Sequence, residues 1–271
     1  MQQKKIAFIG GGNMASAIVF GLLAKGYVAE NIRVCEHNPD KHHAFNERGV
    51  FTTLSATEAI PYADVILLAV KPQNMEEACQ AFAHLDLSNK WIISIAAGIS
   101  VSALQRFLPT ATQFVRVMPN TPALISKGMS GLFATSSVTP EFKRYASDLF
   151  AAVGQVCWVE NEADINTIIA ASGSSPAYFF LFMESMQKAL LEMGLTEQQA
   201  RLLVQQSALG AAEMVIANPQ TELEILRQQV TSKGGTTAAA INVFQQQNLE
   251  ATVKQAMQAA IERAEEMEKL F

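Results

Sequence analysis

The chain has 271 residues, 49% of them hydrophobic, and a formal net charge of −5. That length and apolar content suit one large or two modest domains with a well-filled core. Mild acidity, with no cluster of lysine and arginine, argues against nucleic-acid binding, and the longest apolar runs are too short to cross a bilayer.

The cysteines and the first residues of the chain indicate a compartment. Cys35, Cys79 and Cys157 are odd in number and lack CxxC spacing. They are therefore expected to be buried thiols of a reducing cytoplasm, and neither a disulfide framework nor a metal site. The chain enters its first predicted strand without a signal-peptide pattern, which favours the same cytoplasmic location.

The first part of the chain, through about residue 160, alternates short β-rich runs with helical segments. This rhythm is typical of βαβ units in a parallel sheet. Several runs are apolar on both faces, as expected for strands that helices cover on both sides. The predicted strands are KIAFIG (5–10), IRVCE (32–36), DVILLAVK (64–71), WIISIAA (91–97), QFVRVMP (113–119) and VCWV (156–159).

After about Glu162 the predicted strands stop and apolar residues recur at helical spacing. Thr196 and Gln199 form a capping-box pattern at the start of one predicted helix, which Pro219 ends. The change of pattern predicts an α/β domain over residues 1–161 and an all-helical domain over residues 162–271. The helical segment PAYFFLFMESM is so apolar that it needs cover on most sides, which favours a substantial dimer interface.

The stretch IAFIGGGNMASAI follows a predicted strand and opens a predicted helix, and it matches G-x-G-x-x-A through Gly10, Gly12 and Ala15. In that pattern the first glycine permits a tight turn, and the second lets a pyrophosphate approach the backbone. The N–H groups and the positive dipole end of the helix favour the same anion. The motif predicts a Rossmann dinucleotide site, and a tight turn without a ligand is the alternative.

The end of the second predicted strand leaves the choice of dinucleotide open. Glu36 is the kind of residue that hydrogen-bonds ribose hydroxyls and repels a 2′-phosphate, which favours NADH. His37, Asn38 and Lys41 follow closely and could instead form a phosphate-binding loop. A solvated strand end is a third interpretation of Glu36.

Three further predicted strands end in small, polar or breaking residues, in the segments LLAVKP (67–72), SIAAG (94–98) and RVMPNTP (116–122). Ligands of open α/β sheets bind at the carboxyl ends of strands, so we expect the first two segments to line the nicotinamide half. Lys71 is interpreted as a packing or cofactor-loop residue and not as a catalytic one, because Pro72 constrains it. Asn120, held between two prolines, is a candidate ligand contact.

A dinucleotide domain followed by a helical domain suggests hydride transfer. The histidines and lysines of the sequence indicate which kind of group accepts the hydride. Carbonyl reduction builds negative charge on oxygen and usually needs a positioned histidine or lysine. All four histidines lie within the first 84 residues, and the first long helix of the second part reaches a lysine only at Lys188. The sequence therefore offers no proton donor for a hydroxy-acid dehydrogenase, unless Lys71 faces the nicotinamide.

Reduction of a protonated imine needs no strong proton donor, because the hydride neutralises the positive charge of the imine. A hydroxyl that hydrogen-bonds the ring nitrogen is then sufficient. The stretch VTSKGGTTAAAINVF (230–244) offers such hydroxyls in Ser232, Thr236 and Thr237. The backbone N–H groups of the predicted helix start suit a carboxylate, so a cyclic imine that carries a carboxylate matches both features.

At these residues the sequence resembles the pyrroline-5-carboxylate reductase family of proline biosynthesis. The resemblance covers essentially the whole chain, with the motifs FIGGGNMASAI, AVKPQ, SIAAGIS, RVMPNTP, SGSSPAY and VTSKGGTTAAAI in family order. It implies an N-terminal Rossmann dinucleotide-binding domain followed by a helical substrate-binding and dimerisation domain. It also implies NAD(P)H-dependent reduction of 1-pyrroline-5-carboxylate to L-proline by a homodimer, and such dimers often assemble into a decamer. NADP is the implied cofactor, with NAD as the alternative.

The resemblance also implies the roles of individual residues. Thr237 matches the threonine that hydrogen-bonds the ring nitrogen and is the predicted catalytic residue, although a helix N-cap is the alternative interpretation. The predicted substrate-binding residues are Ser232, Gly234, Gly235, Thr236 and Thr237. The predicted cofactor-binding residues are Gly10, Gly12, Asn13, Met14, Asn38, Lys41, Ala69, Val70, Lys71, Pro72, Ala97 and Asn120.

Two positions depart from the family pattern. Ser175 stands where the family usually has glycine, so a positive φ there would be strained, whereas ordinary dihedrals at a helix start would suit serine. Glu36 weakens any assumption of NADPH. The functional alternatives are a reductase of another cyclic imino acid and a non-catalytic NAD(P)-binding regulator, and the intact threonine-bearing signature argues against the regulator.

Overall fold

The predicted β-rich runs of the first part assemble into one sheet in the computed structural model, which describes residues 2–271. Its strands are β1 (Ile6–Ile9), β2 (Ile32–Cys35), β3 (Phe51–Thr53), β4 (Val65–Leu68), β5 (Trp91–Ser94), β6 (Gln113–Met118), β7 (Gly128–Ala134) and β8 (Gly154–Trp158). They lie in the order β3-β2-β1-β4-β5-β6-β7-β8. Neighbouring strands are parallel except β6 and β7, which are antiparallel.

The helices of the first part alternate with the strands, and those of the second part follow one another. They are α1 (Asn13–Ala24), α2 (His42–Asn46), α3 (Ala56–Ala59), α4 (Met75–Gln80), α5 (Val101–Phe107), α6 (Pro140–Ala151), α7 (Asp164–Ile168), α8 (Ser175–Glu192), α9 (Glu197–Ala217), α10 (Leu223–Gln229), α11 (Thr236–Gln246) and α12 (Leu249–Glu268). A π-helical stretch, Ile169–Gly173, joins α7 to α8. Within residues 2–271, no helix is both long and apolar enough to cross a membrane.

Helices cover both faces of the sheet, as the apolar strands predicted. Successive residues of β1 point to opposite faces. Ile6 and Phe8 belong to one buried cluster, together with residues of α1 and α6. Ala7 and Ile9 belong to the other, together with residues of α3, α4 and α5. The predicted α/β fold class, with an all-helical C-terminal part, is confirmed.

Each of the six predicted strand segments contains a strand, but two strands were not predicted. β3 has only three residues, too few for a recognisable period. β7 carries Gly128 and Gly131, which weaken the strand signal. Gly131 has a packing reason, since a Cβ there would lie 2.4 Å from Ile168 Cγ2. The expectation of a parallel sheet throughout was wrong at β7, which runs antiparallel to β6.

The chain divides into two compact units, Met1–Pro176 with Ala259–Phe271, and Ala177–Gln258. The predicted domain limit between residues 161 and 162 stays a prediction. In the second unit, α8 has no buried residue, and Phe179, Phe180 and Leu181 are more than half exposed in the single chain. In the single chain, α8 therefore lacks the packing partner that its apolar sequence requires.

The capping box at the start of α9 is confirmed. The Thr196 hydroxyl accepts a hydrogen bond from the Gln199 N–H (3.3 Å), and the Gln199 side-chain oxygen accepts one from the Thr196 N–H (3.0 Å). The helix ends at Ala217, two residues before Pro219. Local sequence chemistry thus fixes both ends of this helix.

Two of the three cysteines are buried thiols, as expected, and the third is not. Burial raises the pKa of Cys35 to about 11 and that of Cys79 to about 12, so both stay protonated and unreactive at neutral pH. Cys157 is exposed. The expectation was wrong there because β8 is the edge strand of the sheet and alternate residues of it face outward.

We predict that Thr196→Ala lowers the free energy of unfolding by about 1 kcal/mol, because the first turn of α9 loses a side-chain acceptor. Urea unfolding at one fixed protein concentration measures the change. Thr196→Ser is the matched control, since it keeps the hydroxyl and should stay close to wild type. Equal stabilities for the alanine and serine variants would contradict the role of the cap.

Candidate functional site

The first glycine turn is shaped to hold an anion at the start of α1. Gly10 has a φ of +102°, and a Cβ on it would lie 2.7 Å from the Ala69 carbonyl oxygen, so only glycine fits. Gly12 is the N-cap residue of α1, and a Cβ there would meet nothing within 4 Å. The turn is therefore tight at its first glycine and open at its third, where the helix presents unpaired N–H groups.

This turn lies at the mouth of a cleft of about 590 Å³ in the first unit. Six of the predicted cofactor residues line it, namely Gly10, Gly12, Lys41, Ala69, Val70 and Lys71. The cleft runs along the carboxyl ends of β1, β2 and β4, the edge at which open α/β sheets bind ligands. Its size and its glycine cradle fit a dinucleotide.

The other predicted cofactor residues lie outside the lining of this cleft. Asn13 and Met14 are the first two residues of α1, and Ala97 follows β5. Asn38 and Pro72 each directly follow a lining residue in the chain. The sequence interpretation missed Ser55 and Thr57, which line the cleft next to β3, because β3 was not predicted.

Glu36, at the end of β2, is joined to the glycine turn. Its carboxylate accepts hydrogen bonds from the Gly11 N–H (2.8 Å) and the Asn38 N–H (2.9 Å). Lys41 Nζ lies 3.6 Å from Glu36 Oε2. Burial opposes ionisation, yet the Asn38 and Gly11 N–H groups and the Lys41 ammonium together hold the pKa of this carboxyl below its ordinary value. Glu36 is thus a charged wall of the cleft, and the interpretation as a merely solvated strand end is wrong.

Asn120 is buried, and both ends of its side-chain amide are hydrogen-bonded to backbone groups. Its Nδ2 donates to the Ser172 carbonyl (3.0 Å), and its Oδ1 accepts from the Met129 N–H (2.8 Å). The side chain therefore ties the end of β6 to the π-helical stretch and to the start of β7. The sequence predicted a ligand contact here. It did not predict that the side chain connects these three segments.

The second glycine turn precedes α11 in the other unit. Gly234 has a φ of +73°, in the left-handed region that favours glycine. The Gly235 N–H donates to the Ser232 carbonyl (3.0 Å), and a Cβ on Gly235 would lie 2.5 Å from Ser232 Oγ. The hydrogen bond between Gly235 and Ser232 closes the turn, so residues 232–235 form one tight loop.

Thr236 and Thr237 are the first two residues of α11, and both are exposed. The N-cap residue is Gly235, so the interpretation of Thr237 as the N-cap is wrong. A glycine cap contributes no side-chain acceptor to the first N–H groups of the helix. The turn therefore offers a helix start with unpaired donors and two adjacent hydroxyls.

Ser175, one of the two departures from the family pattern, is not strained. It is the first residue of α8, and among the described non-glycine residues only Ser126 and Asn248 have a positive φ. Serine is tolerated there because the backbone is already helical. Residues 2–271 contain no group of three or more His, Cys, Asp or Glu side chains arranged to hold a metal ion.

Comparisons with known proteins agree with this geometry. The family model "Pyrroline-5-carboxylate reductase dimerisation" matches residues 162–267, and "NADP oxidoreductase coenzyme F420-dependent" matches residues 5–98. The pyrroline-5-carboxylate reductase of Pasteurella multocida is 58% identical over 275 residues and is aligned over the full length of both chains. The chain belongs to the pyrroline-5-carboxylate reductase family.

Solved structures of this reductase family share the whole fold. The pyrroline-5-carboxylate reductase of Coxiella burnetii is 41% identical, with a TM-score of 0.92 over 98% of this chain and 99% of that one. The pyrroline carboxylate reductase of Plasmodium falciparum, solved with NADP bound, is 28% identical, with a TM-score of 0.86 over 99% of both chains. The family assignment therefore rests on sequence and fold over the full length.

We predict that Asn120→Ala lowers the free energy of unfolding by about 2 kcal/mol, because the Met129 N–H and the Ser172 carbonyl lose a buried partner. Thermal unfolding followed by circular dichroism measures it. Asn74→Ala, at an exposed position that also lines the cleft, is the control and should change stability little. Equal melting temperatures for the two variants would show that the Asn120 amide does not hold these loops.

Proposed function

We propose that the protein reduces 1-pyrroline-5-carboxylate to L-proline with a hydride from NAD(P)H, the final step of proline biosynthesis. The observation that carries the proposal is the 58% identity, over the full length of both chains, to a protein named for that reaction. Both glycine turns support it, since each offers helix N–H groups to an anion.

The cofactor of the proposed reaction is NADP, with NAD as the alternative. Gly10 and Gly12 would lie against the pyrophosphate, since Gly10 makes the tight turn and the backbone at Gly12 is open to close approach. Glu36 and Lys41 would lie beside the adenosine ribose, at the end of β2. NAD(P)H supplies the hydride when bound. The contacts of Asn13, Met14, Asn38, Pro72, Ala97 and Asn120 with the cofactor stay predictions.

The substrate would bind at the second glycine turn. Its carboxylate suits the unpaired N–H groups of Thr236 and Thr237 at the start of α11. The Gly235 N–H is taken by the Ser232 carbonyl, so Gly235 and Ser232 shape the turn. The Thr237 hydroxyl would hydrogen-bond the ring nitrogen and so fix the orientation of the C=N bond. Gly234 supplies the left-handed bend that brings these groups together.

The reaction needs no strong acid in this arrangement. As a new C–H bond forms at the imine carbon, the C=N electron pair passes to the nitrogen and its positive charge disappears. The nitrogen keeps the proton that it already carries and becomes the secondary amine of proline. A hydroxyl such as that of Thr237 can hold this nitrogen throughout, because it both donates and accepts hydrogen bonds.

The proposed enzyme is a homodimer that associates through its helical unit. Exposed apolar side chains on α8, among them Phe179, Phe180 and Leu181, support this assembly, and so does the match to a dimerisation model. Patches of this kind on a single chain mark interaction surfaces. A decamer and a cytoplasmic location stay predictions from the sequence.

Two other functions compete with this proposal. A reductase of a larger cyclic imino acid would use the same turn, and only the size of the substrate pocket would distinguish it. A non-catalytic NAD(P)-binding regulator would need no hydroxyl at position 237. The exposed Thr237 at a helix start favours the enzyme.

We predict that the protein oxidises NADPH only when 1-pyrroline-5-carboxylate is present, and that Thr237→Ala lowers kcat/KM by about 10- to 100-fold. A lost hydrogen bond to a charged group accounts for that range. Absorbance of the reduced dinucleotide measures the rate, and calorimetry measures NADPH binding. Thr237→Ser is the matched control and should keep most of the activity.

Two results would count against the proposed function, and a third would count against the role of Thr237. Binding of NADPH without turnover on any cyclic imine would indicate the regulator. Faster turnover of a six-membered cyclic imine than of 1-pyrroline-5-carboxylate would indicate the other reductase. Full activity of Thr237→Ala would remove Thr237 from the reaction while leaving the overall function in place.

We also predict that Glu36→Ser raises the ratio of kcat/KM for NADPH to that for NADH by about tenfold, because a carboxylate repels a 2′-phosphate. Folding lowers the pKa of Glu36, so its charge is present above the ordinary carboxyl pKa and is lost as the pH falls through the folded-state value. The wild-type ratio should therefore be constant across neutral and mildly alkaline pH. Glu47→Ser, on an exposed glutamate, is the control. An unchanged ratio in Glu36→Ser would mean that Glu36 serves only the glycine turn.

A further inference from the structure

An arginine that the proposed reaction does not use is buried in the sheet. Arg116, on β6, is 1% exposed. Its Nη1 lies 3.0 Å from Glu162 Oε1, and its Nη2 lies 2.7 Å from Glu268 Oε1. The second contact is an ion pair without hydrogen-bond geometry. Because a buried guanidinium is costly without compensation, the two carboxylates are held to it.

Glu162 connects this arginine to the loop that follows β5. Its Oε1 also accepts a hydrogen bond from the Val101 N–H (2.7 Å). Val101 is the first residue of α5 and lies three residues after Gly98. The carboxylate thus fixes the point at which this loop enters its helix.

Glu268 connects the arginine to the same loop from the other side. Its chain neighbour Met267 packs on Gly98, where a Cβ would lie 2.8 Å from Met267 Cβ. Gly98 has a φ of +73° and leaves no room for a side chain. Arg106, on α5, donates a hydrogen bond to the carbonyl of Phe271, so the last residues are held there as well.

Ala96 and Ile99 of this loop are buried, and the two residues between them depend on their neighbours for their position. Ala97 and Gly98 have no polar side chain, and Gly98 is free to adopt conformations that other residues avoid. We propose that Arg116, Glu162 and Glu268 form a positioning cluster, which holds Ala97–Gly98 in place through Val101 on one side and Met267 on the other. This inference rests on the proposed function, in which the loop lines the nicotinamide half of the cofactor site.

Such a cluster acts on the dinucleotide and not on the imino acid. A loop that shifts by a fraction of an ångström weakens its contacts with the bound cofactor. The residues proposed for the imino acid belong to the turn at positions 232–237. Loss of the cluster should therefore raise KM for the dinucleotide and leave KM for the imino acid unchanged. A role in stability alone would reduce the amount of folded enzyme and change neither KM.

The test compares variants of the full-length enzyme near the end of α12. Glu268→Gln keeps the side-chain length and removes the charge. Met267→Ala removes the end of the side chain, whose Cε approaches Gly98, without touching the charges. We expect KM for NADPH to rise by about fivefold or more in both variants, at constant KM for 1-pyrroline-5-carboxylate. Glu266→Gln is the matched control, because Glu266 pairs with Arg263 on the surface of the same helix. It should behave as wild type.

The proposal is overturned if Glu268→Gln and Met267→Ala have the same KM for NADPH as Glu266→Gln. Should Glu268→Gln fail to fold, Met267→Ala decides the question. A wild-type protein without turnover on 1-pyrroline-5-carboxylate would refute the proposed function and not the positioning cluster. In that case calorimetric titration of NADPH into wild type, Met267→Ala and Glu266→Gln decides it, and equal dissociation constants would overturn the proposal.

Discussion

The close approach of two strand ends at Gly10 is the constraint on which the cleft depends. β1 leaves the sheet with a φ of +102° at Gly10, directly against the backbone of Ala69 at the end of β4. Because no side chain fits between them, the two neighbouring strands end in backbone contact. The chain then turns at once into α1, whose first N–H groups face the space above these strand ends. Gly12 keeps that space open, so a single steric requirement creates an anion site in a sheet that is otherwise filled with side chains.

Two charged side chains at this sheet, Glu36 and Arg116, are stabilised by different kinds of partner. Glu36 is held by backbone N–H groups of Gly11 and Asn38, so its carboxylate supports the glycine turn before any ligand binds. Arg116 is deeper and is held by carboxylates from segments distant in the chain. A carboxylate at the rim stays accessible to a ligand, whereas a buried arginine fixes the elements around it. In the proposed function, recognition of the dinucleotide and positioning of the loop would therefore fall to different charges.

The parts of this structure that the sequence predicts are those encoded by neighbouring residues. The β-rich runs of the six predicted strands, the first glycine turn and the capping box of Thr196 are all local patterns, and all three were correct. β7 was missed because it carries two glycines, and the packing of Gly131 against Ile168 and of Gly128 against Ala123 is seen only in the folded chain. The cluster around Arg116 could not be predicted for the same reason. Its members come from β6, from the segment after β8 and from the end of α12, and no periodicity relates them.

The helical unit shows why assembly and the proposed chemistry belong together. Neither α8 nor α11 has a buried residue in the single chain, although Phe182 of α8 packs against Phe244 of α11. With 11 residues, α11 would be marginal as an isolated helix in water. In the proposed homodimer, a second copy would cover the exposed apolar surface of this unit and supply further stabilisation. Thr237 lies in the first turn of α11, so in that homodimer the order of the proposed substrate turn would depend on the same association that covers α8.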